Sequence, residues 1–236
     1  MIHSLITARG NSKGIKNKNL QKVGKKSLVK NIIDILKENK KISKNIFLSS
    51  DSNKILEIGR KNKINLIKRP KSISSGNSRS EEAVFHYINY LKLRKINLPD
   101  ILLLIQPTSP FIKNKTINQV ISVLQKNKKT SSAVTLIKTN HKYHFLNQRI
   151  LNKKNDIQFI FPKKRLEQYN RQNKLDTYVH GNIFAFKITK FLHQKKIIAE
   201  PCQGIILDNE LEAIDIDNPN DLKLANFLHK YITASK

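Results

Sequence analysis

Arg9, Lys13 and Lys18 fall within ten residues beside Gly10 and Gly14, directly after an apolar run. Those residue types at that spacing can hold phosphate. Two glycines let the backbone bend and come close to a ligand, while N–H groups and cationic side chains meet phosphate oxygens. A second constellation lies near the other end, in Ala213-Ile214-Asp215-Ile216-Asp217. Its alternation predicts a strand with Ile214 and Ile216 in the core and Asp215 and Asp217 on the other face, roughly 6 to 7 Å apart at their backbones. Two such carboxylates can reach one hard cation, and Mg²⁺ characteristically combines one or two carboxylates with substrate phosphate oxygens.

Each constellation alone has a plainer reading: a solvated basic turn, and the polar face of an edge strand. Together they are the two halves of a nucleotidyl-transfer site. Neither G-x-x-x-x-G-K-[ST] nor G-x-G-x-x-G follows the first apolar run, which disfavours a Walker ATPase and a dinucleotide dehydrogenase. Asp221 is assigned to capping, because Asn218-Pro219-Asn220-Asp221 reads as a helix start with an Asn cap, a first-position proline and an acid in the first turn.

The elements that position these residues alternate. Short apolar runs at 2–8, 45–49, 64–68, 101–105 and 132–137 are separated by stretches of helical period at 28–37, 53–61, 79–93 and 114–125. This order predicts a mostly parallel sheet with helices on both faces. Ligands in such sheets sit at the carboxyl ends of the strands. The segments Arg9–Asn19, Ser49-Ser50-Asp51, Arg69-Pro70 and Gln106-Pro107-Thr108-Ser109-Pro110 are therefore expected to converge. From about Lys138 to Val179 the pattern gives way to mixed polar and aromatic residues, including Tyr169-Asn170-Arg171-Gln172, as an inserted arm, lid or subunit contact would. Strand-like runs return at 182–186 and 204–207, and a last helix follows Asn218.

The 236 residues can bury a core without disulfides, and Cys202 has no second cysteine to pair with. No run approaches the roughly 18 apolar residues of a membrane span, and the amino terminus lacks a signal-peptide core. A soluble, cytoplasmic protein without a membrane partner is expected. The net charge of +28 points toward polyanions. Its lysines, however, are spread along the chain without zinc spacing, a helix-turn-helix signal or an aromatic-interleaved basic block, so nucleic acid is not expected as the main partner.

With these motifs in order, the chain resembles the acylneuraminate cytidylyltransferases. The opening is similar to that family's P-A-R-x-x-S-K-G-(I/L)-x-x-K-N loop, through Ala8-Arg9, Ser12-Lys13-Gly14-Ile15 and Lys18-Asn19. Ser49-Ser50-Asp51 resembles its S-T-D, Arg69-Pro70 its R-P, Gln106–Pro110 its Q-P-T-S-P, Arg171-Gln172 its R-Q, and Ile214–Asp217 its I-D-I-D. The resemblance implies a Rossmann-like nucleotidyltransferase fold, a single cytidylyltransferase domain over 1–236 with a dimerisation and substrate arm near 138–180, and a homodimer. It also implies CTP as cosubstrate and Mg²⁺ as metal. By position, Arg9, Ser12, Lys13, Lys18, Asn19 and Arg69 would hold the nucleotide. Ser80, Gln106 and Arg171 would face the sugar acid, and Asp215 and Asp217 would bind the metal. Arg9, Lys18 and Asp217 are the expected catalytic set. Gly76 stands where many members have Asp, and His180-Gly181-Asn182-Ile183-Phe184 replaces N-G-A-I-Y. These departures leave the nucleotide half intact and the sugar open. The expected reaction joins CMP to a nine-carbon 2-keto sugar acid. A ketodeoxyoctonate-type enzyme and a non-catalytic polyanion binder on the same fold are the alternatives.

Overall fold

The computed structural model describes residues 1–42, 44–168, 170, 172 and 174–234. In chain order its elements are β1 (Ile2–Thr7), β2 (Lys22–Val23), β3 (Lys26–Ser27), α1 (Leu28–Glu38), β4 (Ile46–Ser50), α2 (Asn53–Lys61), β5 (Asn65–Lys68), α3 (Ser80–Leu93), β6 (Ile101–Ile105) and α4 (Asn114–Lys126). They continue with β7 (Ser132–Lys138), β8 (Arg149–Leu151), β9 (Ile157–Phe159), α5 (Pro162–Glu167), β10 (Tyr178–Lys187), α6 (Ile188–Gln194), β11 (Cys202–Ile206) and α7 (Pro219–Ala234).

Seven strands form one sheet in the order β11-β7-β10-β6-β1-β4-β5. Only β10 runs antiparallel to its neighbours, so the sheet is mostly parallel, as the alternation of elements predicts. In the middle, Ile2 pairs with Ile101 and Ile6 with Ile105. All five residues of β6 are buried, because strands flank both its edges and helices cover both its faces. The period of two then sorts side chains between two cores. Ile6, Leu48, Leu103 and Ile105 pack with α1 and α4, whereas Leu5, Phe47, Leu102 and Leu104 pack with α3 and α6. Helix α1 shows the local logic. The Ser27 hydroxyl accepts the Lys30 N–H at 3.3 Å as a cap, and Leu28, Val29, Ile32, Ile33 and Leu36 supply the buried stripe.

The topology also places the crevice. From β1 the chain steps outward through β4 to β5 and then returns to the other side of β1 as β6. The loops after β1 and β6 consequently part in opposite directions, which opens a crevice at their carboxyl ends. Between β7 and β10 the chain leaves the sheet and forms the separate β8–β9 hairpin and the short α5.

One expected element is absent. The segment from Ile214 to Asp217 is not a strand; it follows a 3₁₀ turn at Glu210–Ala213 and runs past the sheet to α7. The in-out alternation survives without a ladder, with Ile216 fully buried and Asp215 and Asp217 exposed. Here a single bond, Ile216 N–H to the Thr108 carbonyl at 3.0 Å, takes the place of strand pairing. The Ile216 side chain sits in a satellite core with Ile15, Val23, Leu28 and Ala225.

Candidate active site

The four strand-end segments meet. Thr7, Arg9, Asn11, Ser12, Lys18 and Asn19 from the first loop line a cleft with Arg69 after β5, Gln106, Pro107 and Thr108 after β6, and Ser78, Arg79 and Ser80 at the start of α3. Arg9, Asn11, Ser12 and Lys18 are shared with an adjoining cavity of about 590 Å³, whose other walls include Lys13, Gly14, Asp51, Lys71 and Asp217. That volume lies within the usual range of about 300–1,000 Å³ for small-molecule pockets. A further cavity of about 600 Å³ shares Ser78–Ser80 and Gln106 and has Leu104, Phe184, Lys196, Ile197 and Ile198 on its far side.

The first loop is held from several directions. Asn17, in the left-handed region at φ 54°, turns the chain into the 3₁₀ turn Lys18–Leu20. The Asn19 side-chain amide donates to the Arg9 carbonyl at 2.8 Å, and the Asp51 carboxylate accepts the Gly10 N–H at 2.8 Å. Thus Ser49-Ser50-Asp51 acts through Asp51 as a brace for the phosphate-type loop. Gly14 lies against the acidic segment so closely that a Cβ there would stand 2.0 Å from the Asp217 carbonyl oxygen. Glycine is required at this position by close approach of two backbones.

Lys18 Nζ donates to Asp217 Oδ1 at 2.8 Å, joining the two chemical constellations across most of the chain. Arg9 donates to the Ser75 carbonyl. Arg69 is 4% exposed; its Nε donates to the Ser74 hydroxyl at 3.0 Å, while its buried Nη2 has no partner. Burial above all, with the nearby Arg9 charge, lowers the Arg69 pKa, and Asp51 opposes the shift. A buried guanidinium nitrogen left over beside a polar cleft is poised for a ligand acceptor.

Every cleft residue expected from the sequence and described in the structure is therefore at one place, with one exception. Asp217 lines the cleft; Asp215 is exposed and is not among the cleft walls. Arg171 lies outside the described residues. Asp221 does cap: its Oδ2 accepts the Asp217 and Asn218 N–H groups at 2.8 and 2.9 Å, and Asn218 Oδ1 accepts those of Asn220 and Asp221. Partial burial on its own would raise the Asp221 pKa, and these hydrogen bonds outweigh it, so the carboxyl titrates below its usual range. Sequence reasoning missed Asn11, Ser78, Arg79 and Lys196. Asn11 and Arg79 flank motif residues, a proximity signal; nothing local marks Lys196, which reaches the site through the return of the chain after α6.

A family model described as cytidylyltransferase matches residues 4–228. The N-acylneuraminate cytidylyltransferase of Escherichia coli O18:K1:H7 is 25% identical over 225 residues, covering 95% of this chain. The chain spans 51% of that relative's length. The CMP-N,N'-diacetyllegionaminic acid synthase of Legionella pneumophila is 25% identical over 232 residues, covering 96% of this chain and 95% of that protein. Among solved structures, a CMP:2-keto-3-deoxy-manno-octonic acid synthetase complexed with CTP superposes with TM-score 0.70 at 12% identity, over 98% of this chain and 99% of the other. The 4-diphosphocytidyl-2C-methyl-D-erythritol synthase of Anaerococcus prevotii gives TM-score 0.62 at 17% identity, over 97% and 96%. These likenesses establish a Rossmann-like nucleotidyltransferase fold.

Proposed function

The chain belongs to the cytidylyltransferase family, a nucleotidyltransferase enzyme, and from that premise we propose that it transfers CMP from CTP to the anomeric hydroxyl of a nine-carbon 2-keto sugar acid, releasing pyrophosphate. The observation that carries the reading is the convergence on one cleft of the Arg9–Asn19 loop, the buried Arg69 with its unpartnered Nη2, and Asp217 bound to Lys18. The names of the E. coli and Legionella relatives support a sugar acid of the sialic or legionaminic type.

In this reading the nucleotide lies over the loop after β1, with Arg69 directed at the base and Arg9, Ser12, Lys13, Lys18 and Asn19 on phosphates and ribose. The sugar acid takes the further cavity of about 600 Å³ beside Ser80 and Gln106, and the family resemblance adds Arg171 to its side. The anomeric hydroxyl attacks the α-phosphorus in line while pyrophosphate leaves. The protein's contribution is mainly placement and charge neutralisation. Arg9, Lys13 and Lys18 offset charge on the leaving pyrophosphate, and Lys18 exchanges Asp217 for phosphate oxygens as CTP arrives.

The donor set fits Mg²⁺. Asp217 offers an exposed carboxylate at the phosphate side of the cleft, and Asp215 is two residues away. Among the described residues no group of three or more His, Cys, Asp or Glu is placed to hold an ion. Such a site suits a cation that takes most of its ligands from substrate phosphates and water. Bound there, Mg²⁺ would neutralise phosphate charge and lower the pKa of the attacking hydroxyl.

We also assign the excursion between β7 and β10 to a homodimer contact. Leu151, Ile157, Leu166 and Leu175 are each more than 60% exposed there, a concentration of apolar surface that a lone subunit would leave in water. Sedimentation at equilibrium checks this, and a monomer at micromolar concentration would count against it. No helix among the described residues is long and apolar enough to cross a membrane.

Pyrophosphate release from CTP and Mg²⁺ against sialic, legionaminic, pseudaminic and ketodeoxyoctonic acids tests the function. Turnover with at least one nine-carbon acid is expected, and Asp217→Asn should nearly abolish it with the fold intact. Turnover with the eight-carbon acid alone would move the assignment to the ketodeoxyoctonate type, and silence with all four would remove it.

A further inference from the structure

Between β11 and α7 the chain runs past the sheet to the cleft at Asp217 without a ladder to hold it, although Asp215 and Asp217 sit on this stretch. Its downstream end is fixed by the Asn218 and Asp221 caps and by Ile216. The upstream end depends on Glu212. This carboxylate is only 5% exposed; Thr116 Oγ1 donates to its Oε2 at 2.7 Å, and Lys113 Nζ lies 3.2 Å from its Oε1. The Glu212 carbonyl accepts the side-chain amide of Asn182.

Asn182 is equally buried at 5% and is held in turn. Thr135 Oγ1 donates to Asn182 Oδ1 at 3.1 Å and accepts the backbone N–H groups of Asn182 and Ile183 at 2.8 and 3.0 Å. The knot lies where the pairing of β10 with β7 shifts register, between His180 and Phe184. Such irregularities bend a strand and re-aim a side chain, often beside an active site. A buried carboxylate and amide carry a desolvation cost that an apolar pair would avoid. What they add is direction, because hydrogen bonds fix orientation whereas apolar contact does not.

We propose that Asn182 and Glu212 are positioning residues that set the Asp215–Asp217 segment against the phosphate loop, so that the Asp217 carboxylate faces an incoming divalent cation. This rests on the cytidylyl-transfer reading above. The anchor runs from the β10 irregularity and the amino-terminal turn of α4, through Glu212, to the acidic residues three and five positions on. It acts through Asp217, since neither Asn182 nor Glu212 is among the walls of the three cavities described above.

The test uses Mn²⁺ as a probe, titrated into the protein with CTP and followed by the loss of the free-ion EPR signal. Glu212→Gln and Asn182→Ala are each expected to weaken Mn²⁺ binding by about tenfold, the usual effect of removing a group that orients a metal ligand. The Mg²⁺ concentration for half-maximal pyrophosphate release should rise in parallel, with kcat recovering at high Mg²⁺. If Glu212→Gln fails to fold, Thr116→Val removes one donor and leaves the carboxylate in place, and a smaller shift in the same direction is expected. Variants that lose thermal stability but keep wild-type Mn²⁺ affinity overturn the positioning role alone. Wild-type turnover without any divalent-cation dependence overturns the metal reading beneath it.

Discussion

Gly14→Ala should separate the phosphate loop from the acidic segment, and the structure sets the scale. An added Cβ would stand 2.0 Å from the Asp217 carbonyl oxygen and 3.2 Å from its carbonyl carbon. Comfortable non-bonded contact needs about 3.5 Å, so one backbone must retreat by about 1 Å or more. Neither retreats freely. Asp217 N–H is bound to Asp221 at 2.8 Å, Ile216 N–H to Thr108 at 3.0 Å, and the Ile216 and Ile15 side chains share one small core. The displacement therefore falls on the Lys18–Asp217 pair and on the direction of the Asp217 carboxylate. A shift of this size in a reacting group costs about 100-fold in rate, and overpacking costs about 1–3 kcal/mol of stability. Pyrophosphate release with CTP and Mg²⁺ varied, alongside a thermal melt, should show a folded protein whose kcat/KM is about 100-fold lower. Gly76→Ala is the matched control. Its Cβ would meet only the flexible end of Lys13, with Cε at 3.1 Å and Nζ at 3.6 Å, which can swing aside without moving either backbone, so the loss of turnover should be far smaller than for Gly14→Ala. A Gly14→Ala enzyme with wild-type kcat/KM would refute the argument.

His3 is buried, shares a 2.6 Å hydrogen bond with the Tyr87 hydroxyl, and has its pKa pushed from 6.5 down to about 4 by burial and then by the N-terminal ammonium. Because the unfolded chain binds the extra proton first, the stability from neutral His3 is complete above pH 6.5 and drains away toward pH 4, a loss of about 3 kcal/mol. Urea titrations at pH 7 and pH 4.5 should show a smaller acid loss for His3→Phe than for wild type, and equal losses would contradict this. Arg69→Lys should raise the KM for CTP by about tenfold or more with little change in melting temperature, since an ammonium cannot reproduce a forked, buried guanidinium; an unchanged KM would remove Arg69 from the nucleotide site. Asp221→Ala should cost about 1 kcal/mol at pH 7 through the lost cap. That cost should shrink as pH falls through the lowered pKa of the carboxyl, and chemical denaturation at pH 7 and pH 3 measures both.

The order of elements was legible because buried strands and amphipathic helices differ in period. The apolar Ile101–Ile105 run and the Asn53–Lys61 helix coincide with their expected bounds. The expected strand at Asp215 and Asp217 shows where period fails. Alternation reports which side chains go inward, and Ile216 does go inward, but a strand also needs a neighbour with open N–H and C=O groups. At this place β6 has already ended, and Ile216 N–H meets the Thr108 carbonyl in the turn beyond it.

The sequence by itself determined the family, the strand-end motifs and the capping of α7, because each depends on residue types at fixed short spacing. Only the tertiary structure decided that Asp51 braces Gly10, that Gly14 is pressed against Asp217, that Lys18 holds Asp217, and that Asn182 anchors Glu212. These pairs join residues dozens to hundreds of positions apart, and their geometry follows from where the return from β5 to β6 opens the crevice and where β10 bulges against β7. Contacts made by chain topology leave no periodic trace in a single sequence, whereas a loop that holds phosphate carries its chemistry in consecutive residues.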